Sequence, residues 1–484
     1  MMDASVKLLF IATILSLITF YMHQYFFPNF ITKTIKQTKS LKRDSDTRKL
    51  WEKSPISLDF KVFIFNVTNP EEAAKGAKIN LQQIGPFFYD EWKKKSNIKD
   101  YPAEDAVTFN MHNTFLFNAK KSRALTGDEI VYLPHVLLVS LVSTLARIKP
   151  EAMTYLNMAV PWLFDSPKTI FVPTRVRDFL FDGMRVNCNE TDFSQAIFCS
   201  EFRNNPRGLV KLDDETFLFS VFGAKNGTPE EILFKVNRGV KDSRLTGEVM
   251  EYNRSRTQTV WPGEKCNEIR GSDSTIFPSF IDKNGFTVFA ADFCRQVDHK
   301  GIPTYKFTAD LGDPRESEDR CFCTTKDTCL KRNTFDLTLC SGAPLAISFP
   351  HFYDSDPEYI NAVVGLNPRK EKHEVSFLIE PMTGTPVVAY RRLQFNLILA
   401  KHPEMEIMEG LSEKPLLLPL FWIEEGVELG DNYLDQLRGL MGIFSKITIL
   451  ASVMAAIAGG LVAFALYIKF GRARVSDKKD SSVK

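Results

Sequence analysis

The chain has 484 residues, 44% hydrophobic and 25% charged, and its 61 Lys and Arg against 59 Asp and Glu leave a formal net charge of +2. This composition excludes a disordered, collagenous or low-complexity chain, and the absence of a basic excess argues against nucleic acid as a partner. Phe is the outlier, at 40 against 13 Tyr and 5 Trp; so much apolar surface calls for a large core or an apolar ligand cavity.

In chain order, residues 8–27 form an uncharged apolar run. We expect a transmembrane helix over 8–28, preceded by a cytoplasmic stretch 1–7. The run leads into Tyr25-Phe26-Phe27-Pro28 rather than a small-residue cleavage site, which favours an uncleaved signal anchor. Lys33, Lys36, Lys39, Lys42 and Arg43 follow, as a solvated membrane-proximal segment or a contact for anionic headgroups. Residues 61–67 have strand composition and stop at Thr68-Asn69-Pro70; residues 216–222 resemble them and stop at Gly223; residues 394–399 alternate polar and apolar. Between them, residues 134–181 change texture, with long apolar stretches of helical length. We read a helical cluster inserted into a β scaffold. A second uncharged run, 447–468, would span about 33 Å as a helix, enough to cross a bilayer core. Residues 469–484 form a basic tail.

The region 29–446 holds all eight cysteines, Cys188, Cys199, Cys266, Cys294, Cys321, Cys323, Cys329 and Cys340. It also holds four glycosylation sequons, at Asn66, Asn189, Asn226 and Asn253. An even cysteine count beside four sequons marks an extracellular, disulfide-linked ectodomain. The basic tail places both termini in the cytoplasm. The lysines just after the first run count against that orientation, and the cysteines and sequons overrule them.

Catalytic motifs are missing: there is no G-x-S-x-G, H-E-x-x-H, G-x-x-x-x-G-K-[ST] or G-x-G-x-x-G. None of the seven histidines pairs at metal-ligand spacing, and we expect neither an enzyme nor a cofactor. The spacing from Cys321 to Cys340 invites zinc, but disulfides suit an extracellular even set better. In the second run Ala451, Ala455, Gly459 and Ala463 recur every four residues, beside Ser452, Ala456 and Gly460. Such rows serve close helix contact in lipid, either in a homo-oligomer or against the first run, where Ala12 and Ser16 lie four apart.

Several motifs, in order and spacing, resemble the class B scavenger receptor family. They are Gly85-Pro86-Phe87-Phe88-Tyr89, Gly271-Ser272-Asp273-Ser274-Thr275-Ile276-Phe277-Pro278 after Cys266, and Gly301-Ile302-Pro303-Thr304-Tyr305 before Cys321. Phe349-Pro350-His351-Phe352, Gly365-Leu366-Asn367-Pro368 and Glu380-Pro381-Met382-Thr383-Gly384 complete them. Within that family the chain is most similar to the insect sensory neuron membrane proteins, on Leu125-Thr126-Gly127-Asp128-Glu129, Trp261-Pro262, Leu311-Gly312-Asp313-Pro314 and Pro419-Leu420-Phe421-Trp422-Ile423-Glu424-Glu425-Gly426.

The resemblance implies an α+β ectodomain: an irregular antiparallel β-barrel with an apical helical bundle and a hydrophobic tunnel, flanked by two transmembrane helices. It implies the disulfides Cys266–Cys321, Cys294–Cys340 and Cys323–Cys329. Cys188 and Cys199 fall outside that pattern, and we expect a fourth bond between them. It places a lipid-sensing lysine on the apical helices, where Lys168 is the nearest match and Lys149 a rival. The function it implies is a receptor conducting long-chain, fatty-acid-derived pheromones or odorants to the membrane or a co-receptor. Its partners would be the bilayer, an odorant receptor, a soluble odorant-binding carrier and, through Ala451, Ala455 and Gly459, a second copy. The alternatives are an uptake receptor for lipoproteins, fatty acids or carotenoids, and an adhesion glycoprotein without transport.

Overall fold

Aromatic and β-branched residues stack well on a pleated surface, and strands such as Leu58–Val67 and Ile302–Ala309 are rich in them. The computed structural model describes residues 4–189, 192–204, 206, 208–281, 291–316, 319–323 and 329–480. Its main element is a twelve-stranded antiparallel sheet. From one edge the order is Val249–Tyr252, Pro229–Asn237, Ala106–Phe117, Leu81–Tyr101, Leu58–Val67 and Leu416–Glu428. It continues through Thr385–Leu399, Ser376–Glu380 and Ile302–Ala309 to Ala291–His299. Leu345–Ser348 branches off Thr385–Leu399 and carries Thr334–Asp336. Two of the expected strands lie here, 61–67 within Leu58–Val67 and 394–399 at the end of Thr385–Leu399. Leu416–Glu428 sits at the centre and is buried from residue 417 to 426. With both faces covered, residues 416–423 are a continuous apolar run rather than an alternation, and the buried stretch then carries Glu424 and Glu425.

The expected barrel is not closed by strand pairing among the described residues, because the sheet ends at Val249–Tyr252 and at Ala291–His299. Residues 271–281 bridge the gap without forming a ladder. Val249 N–H donates to the Gly271 carbonyl at 2.9 Å, while Phe280 and Ile281 donate to the Met382 and Pro381 carbonyls at 3.1 and 2.9 Å. Pro278 has no N–H to give a ladder.

Residues 134–181 form the helices Val136–Ile148 and Met153–Leu163, as expected, but also the strand Phe171–Arg175 paired with Ile130–Pro134. The first helix is capped by His135, whose Nδ1 accepts from Leu138 N–H at 3.3 Å. Residues 216–219 are a strand in a separate three-stranded sheet. Cys188 is bonded to Cys199 on the helix Phe193–Asn204, Cys266 to Cys321, and Cys323 to Cys329. The expected Cys294–Cys340 bond is absent, and both residues are exposed thiols. The pairing of Ala291–His299 with Ile302–Ala309 slips between Phe293 and Arg295. Cys294 sits on that irregularity, with Sγ 3.5 Å from Thr308 Oγ1, while Cys340 lies on the short helix Thr338–Ser341.

Among the described residues, two helices are long and apolar enough to cross a membrane. The first runs Ala4–Tyr21, continues through the π-turn Met22–Phe26 and goes on as Phe27–Thr38. The second is Asp431–Asp480. At 1.5 Å per residue each outruns a bilayer core of about 30 Å, so both extend beyond the runs 8–28 and 447–468. The two helices pack together. Ala12, Ala451, Ala458 and Ala465 are buried, so the seam on the second helix repeats every seven residues and not every four. The expected row is therefore split: Ala451 is covered within the chain, whereas Ala455 and Gly459 are exposed.

Leucine in the seam would push the helices apart. Ala458→Leu is expected to lower the thermal midpoint of the detergent-solubilised chain. Gly459→Leu is expected to leave that midpoint unchanged, since a Cβ there meets nothing within 4 Å.

Candidate functional site

Side chains alternate along a strand, so every second residue shares a face. In Leu81–Tyr101 this groups Glu91, Lys93 and Lys95. Strand register sets Arg391 opposite Glu425 and Arg392 opposite Glu424. Two ion-pair groups result, one on each face of the sheet. On one, Glu424 accepts from Lys61 Nζ and Arg392 Nε, both at 2.6 Å. On the other, Glu425 accepts from Lys93 Nζ at 2.6 Å and from Arg391 Nη2. Lys93 Nζ also meets Glu91 Oε1 at 3.1 Å.

Electrostatics separates the two carboxylates of the second group. Burial, and then the negative charge of Glu425, pushes the Glu91 carboxyl well above the usual range. Burial acts the same way on Glu425, but Arg391 and Lys93 outweigh it and hold that carboxyl low. The Oε2 of Glu91 is buried and has no hydrogen-bond partner among the described residues.

A second knot lies beside this one. The short helix Asp46–Glu52, just after the first long helix, carries Trp51 inward. Trp51 Nε1–H donates to Asp273 Oδ2 at 2.8 Å. Lys95 Nζ donates to Trp51 O at 2.9 Å and Thr275 Oγ1 at 2.8 Å, and lies 4.4 Å from the Trp51 ring centre. Burial lowers the Lys95 pKa to about 8, against the opposing pull of Asp273.

Between the two knots is a cavity of about 190 Å³. Lys93, Lys95, Arg391 and Glu425 supply its polar wall; Leu58, Phe277, Phe377, Pro386 and Val427 supply its apolar one. A wider groove of about 500 Å³ lies where the second long helix starts, lined by Ile56, Asp59, Glu428, Asp431 and Tyr433. Gly426 and Val427 line both. A Cβ on Gly426 would come within 2.3 Å of the Ala389 carbonyl oxygen, so only glycine permits this close strand pairing.

The expected lysines lie elsewhere. Lys149 caps Val136–Ile148 and Lys168 follows Met153–Leu163, so the two flank the second of these helices. Both are exposed, and neither lines the cavity or the groove. Of the sequons, Asn189 and Asn253 are exposed, while Glu190 and Thr191 lie outside the described residues. Asn66 Oδ1 accepts from Tyr132 N–H at 2.8 Å. Asn226 is tied at both ends to the backbone of Phe115, at 2.8 and 3.2 Å. The interior charges escape notice in the sequence. Their signal is Glu91-x-Lys93-x-Lys95 at strand period, with the doublets Arg391-Arg392 and Glu424-Glu425, a pattern that equally describes solvated strand faces.

The CD36 family pattern matches residues 8–470. Among curated proteins the chain is 41% identical over 424 residues to "Sensory neuron membrane protein 1" of Apis mellifera, covering 85% of this chain and 81% of that one. It is 38% identical over 435 residues to the protein of the same name from Pediculus humanus subsp. corporis, covering 87% and 84%. It is 36% identical over 455 residues to that of Ostrinia nubilalis, covering 91% and 86%.

The Glu91 environment makes stability depend on pH. With its pKa raised on folding, the folded chain holds a proton that the unfolded chain releases, so stability falls as pH rises from the ordinary carboxylate range toward the raised value. Glu91→Gln removes that loss. It is expected to raise the thermal midpoint at about pH 8 and change it little at about pH 4.

Proposed function

The chain belongs to the CD36 family, and from that premise we propose that it is a membrane receptor whose ectodomain, residues 29–446, takes up long-chain hydrophobic ligands outside the cell and delivers them to the bilayer. The observation that carries this reading is the pairing of a largely apolar cavity with a groove at the root of the second long helix. The two share Gly426 and Val427. A molecule leaving the cavity past these residues arrives where the chain enters the membrane.

The relatives' name, sensory neuron membrane protein, supports fatty-acid-derived pheromones or odorants as the ligands and a chemosensory membrane as the setting. In this reading a soluble carrier brings the ligand to the apex. There Lys149 and Lys168 flank a helix with exposed Tyr155, Met158 and Trp162. The interior passes it on to the bilayer or to a neighbouring odorant receptor. No bond is made or broken; the driving force is transfer of methylenes from water to an apolar wall, about 0.8 kcal/mol for each CH₂ buried. Both termini are cytoplasmic, and the exposed Asn189 and Asn253 carry glycans.

Binding of a chain-length series of fluorescent fatty-acid derivatives to the purified glycosylated protein tests this. Affinity is expected to rise by about fourfold for each methylene enclosed and then level off. Affinity that ignores chain length would sink the reading in favour of an adhesion glycoprotein. In the same assay Lys168→Ala is expected to weaken binding of ligands with polar heads and spare apolar ones.

A further inference from the structure

Arg391 lines the cavity, and 33% of its side chain is accessible. Among the described residues its one hydrogen-bond partner is Glu425, through Nη2, which leaves Nε–H and Nη1 donors for a ligand. Lys93, 17% accessible, stands across the same carboxylate.

Charge in this corner does not balance. Lys95 is matched by Asp273 and held by two further acceptors. Lys93 and Arg391 share Glu425. The remaining anion would be Glu91, but burial and Glu425 favour its neutral acid form. With Glu91 protonated, two cations face one carboxylate. An uncompensated charge inside a protein is costly, so an entering anion finds a vacancy of its own sign.

We propose that this cavity is a binding site for the carboxylate of a long-chain acid, clasped by Arg391 and Lys93, with the acid's first methylenes against Leu58, Phe377 and Val427. The planar guanidinium fork suits a carboxylate. At about 190 Å³ the cavity is smaller than the roughly 300–1,000 Å³ of sites that enclose a whole drug-sized ligand. It therefore holds the head, and the rest of the chain leaves past Gly426 and Val427 into the groove at the second long helix. The site retains acids over esters, alcohols and aldehydes of equal length, at the last point before the bilayer. This inference rests on the reading of the chain as a lipid receptor.

The test uses the full chain in phosphatidylcholine nanodiscs, with a sixteen-carbon acid and its methyl ester as probes. The acid is expected to bind roughly tenfold or more tightly than the ester, as charge-assisted bonds do over neutral ones. Arg391→Gln is expected to abolish that preference, bringing the acid down to the affinity of the ester. Equal binding of acid and ester by the unaltered chain overturns the proposal and leaves the receptor reading standing; failure of both to bind removes both. Adding an anionic phospholipid to the nanodiscs is expected to leave acid binding unchanged, and loss of acid binding there assigns the site to a bilayer headgroup and overturns it. A measurement without mutation guards against an unfolded variant. The ¹³C signal of carboxyl-labelled acid bound to the unaltered chain is expected to remain that of the ionised form well below the acid's solution range. Titration as in water overturns the proposal.

Discussion

Strand Leu416–Glu428 is covered on both faces for most of its length, so neither Glu424 nor Glu425 reaches open water. Consecutive strand residues point to opposite faces, and each of these two carboxylates needs its own cations. The register with Thr385–Leu399 supplies Arg392 to one and Arg391 to the other, while Lys61 and Lys93 complete the two groups. Removing one partner of a buried pair costs about 3–5 kcal/mol, so a slip by one residue, which would turn every side chain over, is disfavoured at this point of the sheet. The pairing that locks the register also places charge inside the protein. The cavity, its polar wall and the bias of Glu91 toward its neutral form all follow from it.

That strand connects the interior to the membrane. It ends at Glu428, and the second long helix begins at Asp431. Leu434, in the first turns of that helix, is buried against Ile302, Val387 and Val388. The first long helix is tied in from the other side, through Trp51 and its bonds to Asp273 and Lys95. The second long helix thus follows directly on the strand whose Gly426 and Val427 line the cavity, and the first is followed by Trp51, which lines it too.

In the proposed function the two groups of cations would offer a ligand different terms. Lys149 and Lys168 are exposed, and an ion pair formed in water contributes about 0–1 kcal/mol, so binding there would rest mainly on the apolar surface of Tyr155, Met158 and Trp162. Arg391 and Lys93 are less accessible, and charge-assisted bonds gain strength from a lower dielectric, so discrimination by headgroup would belong to them.

The amino-acid sequence by itself determined the two apolar helices, the disulfide-linked region between them, the helical cluster after residue 134 and, through ordered motifs, the family. Each of these depends on local composition or spacing, which a linear reading contains. Three things were decided only by the tertiary structure. The seam between the long helices took Ala451, Ala458 and Ala465, because packing on one neighbour selects one face of a helix and periodicity alone offers several. Cys294 and Cys340 stayed apart, because a slip in the strand pairing left Cys294 against Thr308. The charged strand positions went inward, because whether a strand's polar face meets water or another layer depends on what the rest of the chain lays over it. Glu91 and Lys93 lie far from Arg391 and Glu425 in the sequence, and only the pairing of the strands that carry them made them one site.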